Sequence, residues 1–145
     1  MAADNETGKF LIIAKIVQVS FIVTIAAYAD IIYVSLPSID FAILPPGDPL
    51  LTIITGVLGF IAVAFIVFGY FWPRWVVSKL SQPETQMFFV AYIGRAAIFE
   101  SVAIDGLILG ILGSGWQITL PFLVVSAVAL ILTFPTGGRW KSFRG

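Results

Sequence analysis

From Leu50 to Trp72 the chain carries no charged residue. A run of that length and polarity matches the ~30 Å hydrocarbon thickness of a bilayer when it coils as a helix, at about 1.5 Å per residue. Three other segments are nearly as apolar. Phe10 to Leu36 is interrupted only by Lys15 and Asp30, Met87 to Leu112 by Arg95, Glu100 and Asp105, and Trp116 to Phe134 carries no charge. None alternates with a period of two, so closed barrels are excluded and helices are left to satisfy the backbone in lipid. The expected fold is all-α: one integral-membrane domain over residues 1–145, built as a four-transmembrane-helix bundle. A polar tail over 1–8 and a basic tail over 135–145 flank it.

Composition supports that class. Hydrophobic residues make up 59% of the chain and charged residues 11%, against roughly 25% charged in soluble domains. The net charge is zero, which gives no electrostatic case for nucleic acid as a partner. Cys and His are absent, so disulfides, thiolate metal sites, axial haem histidines and Ser-His-Asp catalysis are excluded within the chain. No catalytic constellation is visible and an enzyme is disfavoured. Magnesium or sodium held by carboxylates and carbonyls stays open. The residues MAADNETG read as a short cytoplasmic tail rather than a cleavable signal peptide, because the apolar run behind them is too long for a signal core.

The connections break helices where they should. Leu44-Pro45-Pro46-Gly47-Asp48-Pro49 closes a long first loop, Pro73 is expected to stop the second helix, and Ser81-Gln82-Pro83-Glu84 is a turn that can open the third. Gly113-Ser114-Gly115 is so short that helices 3 and 4 should be antiparallel neighbours. Lys9, Arg74, Lys79, Arg139, Lys141 and Arg144 all fall on one side of a four-span topology, and the other side has Asp40 and Asp48 but no Lys or Arg. The positive-inside rule makes the basic side cytoplasmic, with both termini there, as in a bacterial-type inner membrane. Trp72, Trp75 and Trp140 then lie at the inner interface and Trp116 at the outer one. Helices 2 and 4 both end in Pro followed by Arg-Trp, and helices 1 and 3 both carry an outer Asp. Two duplicated helical hairpins would explain this, as would generic membrane punctuation.

Glu100 is the sharpest lead on function. An ionisable group at the middle of a span costs at least ~2.5 kcal/mol to insert. Desolvation favours the neutral form of such a carboxyl and a neighbouring cation the ionised one, a two-state property that ion-translocating proteins need. Helices 1 and 3 run in the same direction, so their depths can be compared. Gln18 falls level with Arg95, Asp30 lies close to Asp105, and Glu100 lies level with about Val23, within reach of Ser20 or Thr24. These residues form a candidate polar network. The plainer expectation is that Arg95, Asp105, Lys15 and Asp30 snorkel toward the interfaces and that Glu100 meets Arg95 or Gln18. Gly56 and Gly59 in helix 2, and the Gly106/Gly110 pair in helix 3, are candidate close-packing points.

The stretch Ser81-Gln82-Pro83-Glu84-Thr85-Gln86, then Gly94, then Ala97-Ile98-Phe99-Glu100-Ser101-Val102-Ala103-Ile104-Asp105-Gly106-Leu107-Ile108, resembles the hairpin of rotary ATPase proteolipids, the subunit c family. The resemblance implies that Glu100 is an ion-binding carboxyl, loaded with a proton or sodium, and that Gln82-Pro83-Glu84 is a cytoplasmic loop meeting a soluble partner. The chain departs from that pattern: helix 2 has only Gly56, Gly59 and Gly69 where the family has a dense glycine repeat, and Arg95 stands where the family is apolar. An Arg beside every Glu in a ring would hinder ion release. Three functions therefore stand in order. The first is a small non-catalytic subunit of a larger membrane complex, energy-transducing in kind, packing through intramembrane polar groups. The second is a proteolipid-like ion carrier and the third a small oligomeric transporter or channel. Expected partners are the lipid bilayer, other membrane subunits or further copies of the chain. The aromatic side chains could border lipid, pigment or quinone, with lipid the default, and no cofactor is expected within the chain beyond a bound lipid.

Overall fold

The computed structural model describes residues 2–38, 42–45, 47–79 and 84–136. The Ser81-Gln82-Pro83 turn, Asp40, Pro46 and the basic tail from Gly137 onward, with Arg139, Trp140, Lys141 and Arg144, lie outside them. The described residues are helical throughout apart from short connections. Helix α1 covers Ala2–Asp30 and runs on through a π-helical segment, Ile31–Ser35, into a last turn, Leu36–Ser38. Helix α2 covers Pro49–Lys79, α3 Glu84–Leu112 and α4 Trp116–Leu132. The segments Gly8–Ser35, Pro49–Lys79 and Gln86–Leu112 are long and apolar enough to cross a membrane, whereas α4 is shorter, at 17 residues.

Local chemistry accounts for the ends. The α1 helix starts at Ala2, eight residues before the expected Phe10. Its π segment ends two residues before Pro37, whose ring and missing N–H disfavour a regular α-turn; the Leu36 N–H reaches back five residues to the Ile31 carbonyl. Asp48 caps α2, its Oδ1 accepting from the Leu50 N–H at 2.8 Å, with Pro49 at the first helical position. Gly113 adopts φ +102° after α3, and the Ser114 N–H returns to the Leu109 carbonyl at 2.9 Å, the six-to-one bond of a Schellman ending. A side chain at Gly113 would also meet the Leu44 carbonyl oxygen at 2.7 Å. That close approach lets the Leu44 N–H donate to the Leu112 carbonyl at 3.1 Å, so the first loop covers the end of α3.

The expectation that Pro73 stops helix 2 is corrected: Pro73 lies inside α2, which continues to Lys79. The lost backbone bond is that to the Gly69 carbonyl, and Pro73 is fully buried. Within a packed membrane helix, neighbouring groups and local adjustment absorb such a loss, where in an isolated helix it would cost ~3 kcal/mol. The expected end of helix 4 at Phe134 also moves, to Leu132.

The centre of the bundle is α3, which packs against each of the other three helices; α1 and α4 touch each other, while α1 and α2 scarcely meet. The main core joins Ile25 and Ile32 of α1, Ala96, Phe99 and Ala103 of α3, and Leu123 and Leu130 of α4. A smaller cluster of Ala14, Phe88 and Tyr92 ties α1 to the first turns of α3. Elsewhere the large apolar side chains point outward, including Phe60 at 77% exposure and Ile53, Val63 and Leu132 above 60%. That is the inside-out distribution a lipid-facing surface requires.

Candidate functional site

Glu100 lies halfway along α3 and is half-buried. Its Oε1 accepts a hydrogen bond from the Tyr28 hydroxyl at 3.4 Å. Tyr28 is about one turn beyond the residue of α1 level with Glu100. Side chains on a helix lean toward its N-terminus, so a long tyrosine reaches back down to the carboxyl. Ser20 and Thr24, nearer by backbone level, turn to their own helix instead: Ser20 Oγ donates to the Ile16 carbonyl and Thr24 Oγ1 to the Ser20 carbonyl. Counting backbone levels therefore missed Tyr28, although its reach and lean were readable from the residue type.

Arg95 and Gln18 do come to one place, but the place is the C-terminal end of α4 rather than Glu100. The Arg95 Nη2 donates to the Thr133 carbonyl at 3.0 Å, and the Gln18 side-chain amide donates to the Leu130 carbonyl. The last turn of a helix leaves carbonyls without partners and carries partial negative charge, so a guanidinium and an amide are suited to it. The Arg95 guanidinium also sits 4.9 Å from the Tyr92 ring centroid, a favourable cation–π placement. Arg95 is 8% exposed and Gln18 2%. The expected snorkelling of Arg95 is thus replaced by inward docking, because α4 ends at its level and needs donors there.

Asp105 is also buried, at 7% exposure, rather than snorkelling outward, and its Oδ2 has no hydrogen-bond partner among the described residues. Eleven residues separate it from Gly94, about 20° around the helix, so it shares the face on which Gly94 meets Trp72 of α2. Glu100 is turned about 140° from it. The structure therefore sends Arg95, Glu100 and Asp105 to different neighbours. Asp30 is exposed near the C-terminal end of α1, and Lys15 is half-buried.

Further polar contacts join the same three helices. Ser126 of α4 donates to the Phe99 carbonyl at 2.6 Å, and the Tyr33 and Thr119 hydroxyls share a bond of 3.0 Å. The glycines divide clearly. A Cβ on Gly106 would lie 2.8 Å from Phe122 Cβ, and one on Gly110 would lie 2.7 Å from Ile32 Cγ1, so both sit at close helix contacts. A Cβ on Gly56 or Gly59 would meet none of the described residues within 4 Å; the close approaches of α2 to α3 are instead at Gly69, against Phe99, and Gly94, against Trp72, each 2.5 Å from an added Cβ. Trp72 Nε1 then reaches the Val90 carbonyl at 3.2 Å.

Comparison with protein-family models, curated proteins and solved structures finds no match to this chain.

Proposed function

We propose that this chain is a small non-catalytic subunit of a larger membrane complex, a four-span bundle with both termini on the cytoplasmic side, bound to its neighbours through intramembrane polar groups. The observation that carries the reading is Glu100. It stands at mid-span, it is half-buried, and among the described residues its hydrogen-bond partner is one tyrosine hydroxyl at 3.4 Å. An ionisable group so placed is costly in lipid and is ordinarily turned to protein or to a wet crevice. The inner polar groups Gln18, Arg95 and Ser126 serve the bundle itself by holding α4. The 17 residues of α4 fit the shortest spans, which begin near 17, and an outer side without Lys or Arg supports the orientation.

The test is the mass of the chain's assembly after gentle solubilisation from its native membrane. The expected result is a stable complex containing other membrane polypeptides. A lone chain, or a ring of identical copies, would overturn the reading. One observation favours a second reading, a proteolipid-like carrier of a proton or sodium: Glu100 meets a neutral hydroxyl, which leaves its carboxyl able to exchange an ion. That reading predicts labelling of Glu100 by a carbodiimide, prevented by sodium or high pH, in a homomeric ring.

A further inference from the structure

The α1 and α2 helices flank α3 on opposite sides and scarcely touch each other. Between them a stripe of α3 is left uncovered: Val90, Ala97, Ile104 and Ile108 are exposed, and they recur at seven- and four-residue steps along one face. Glu100 borders that stripe on the α1 side, about 60° around the helix from Ala97. Ala97 is small, and neighbouring Ser101 folds its hydroxyl back onto the Ala97 carbonyl at 3.0 Å. Small residues at that position let a further helix approach the α3 backbone closely.

We propose that this cleft receives a transmembrane helix of a different polypeptide, and that this helix carries a lysine or arginine at mid-membrane depth that pairs with Glu100. The inference rests on the accessory-subunit reading and names the surface and the chemistry of the partner. Charge complementarity selects the occupant. Lipid tails offer a carboxylate nothing, and an ionised carboxylate has about four acceptor positions, of which Tyr28 engages one oxygen. A basic side chain supplies both the remaining donors and the opposite charge. A parallel second copy does not supply it. Among the described residues Lys15 lies about eight residues below the Glu100 level, or ~12 Å, and Arg95 is turned inward onto α4.

Photo-crosslinking in the native membrane tests this, with a benzophenone side chain placed at Ala97 or Ile104 and, as controls, at Phe60 or Ile53 on the outer face of α2. The expected result is an adduct from the two α3 positions with one other polypeptide, through an apolar segment that contains Lys or Arg. Glu100→Lys should lower its yield by about tenfold or more, Glu100→Gln should lower it less, and an acidic replacement of the partner's basic residue should restore it to Glu100→Lys. Adducts with lipid alone, with a second copy, or with a segment lacking Lys and Arg would overturn the proposal. If the chain still runs in a hetero-complex while the stripe labels only lipid, the cleft assignment falls and the accessory role stands. If it runs alone, both fall.

Discussion

The two flanks of α3 are built from different chemistry. Toward α1 and α4 the contact is polar at intervals: Tyr28, Arg95 and Ser126 bond across to or from α3, and Gln18, Tyr33 and Thr119 tie α1 to α4 beside it. Toward α2 the contact is glycine against aromatic, Gly69 under Phe99 and Gly94 under Trp72, with one indole N–H reaching a carbonyl. The second flank takes its order from shape. The first takes it from donors that must find acceptors in a medium without water. Burial follows: the third span lies much more inside the protein than the second. The central helix can therefore carry three ionisable residues, Arg95, Glu100 and Asp105, because it has neighbours on three sides.

The sharpest way to break the contrast is to fill the glycine seam. Gly94→Leu puts a side chain where Trp72 lies and should cost at least the ~1–3 kcal/mol typical of overpacking, read as a large loss of thermal stability in detergent. Arg95→Leu attacks the polar flank; it removes a charge-assisted bond worth ~1.5–3 kcal/mol and should loosen the end of α4, seen as faster hydrogen exchange from Leu130 to Thr133. Ser126→Ala removes one buried neutral bond and should lower stability by about 0.5–1.5 kcal/mol in the same melts. Tyr28→Phe breaks a long bond to a half-buried acid and should change stability by less than ~0.5 kcal/mol, since hydrogen bonds weaken with length. At the bottom of the scale, Gly59→Ala should be neutral or stabilising by up to ~1 kcal/mol, since the position is open and helical. If Gly59→Ala proves as damaging as Gly94→Leu, an unseen neighbour covers α2, and the contrast drawn from the isolated chain fails.

Much of this architecture is legible in the sequence because lipid imposes so few solutions. The charge-free run from Leu50 to Trp72 and the Gly113-Ser114-Gly115 link lead directly to long helices and a tight antiparallel α3–α4 turn. Pro73 was harder to read, because its effect depends on what surrounds the helix and not on the residue. The polar network was half legible. The depth of Gln18 relative to Arg95 is visible from residue counts, but their shared acceptor is the end of α4, whose position depends on where that helix stops. The Glu100 partner was hidden for a different reason. Counting levels locates backbones, whereas a tyrosine hydroxyl lies about one turn away from its own. The glycine pairs show the same limit, since spacing says where a close contact can form and only the packing of α2 on α3 selects Gly69 and Gly94 over Gly56 and Gly59.

The shortness of α4 has a mechanical consequence. Its 17 residues give an apolar height of about 26 Å, below the ~30 Å of an average hydrocarbon core, while α2 on another side of α3 is 31 residues long. A body with unequal flanks makes the surrounding bilayer pinch on the low side or lean the whole molecule toward it, at a cost of fractions of a kcal/mol per ångström. Thin membranes would then favour the upright posture, and thick ones would press this protein to keep its α4 edge against another protein and away from lipid.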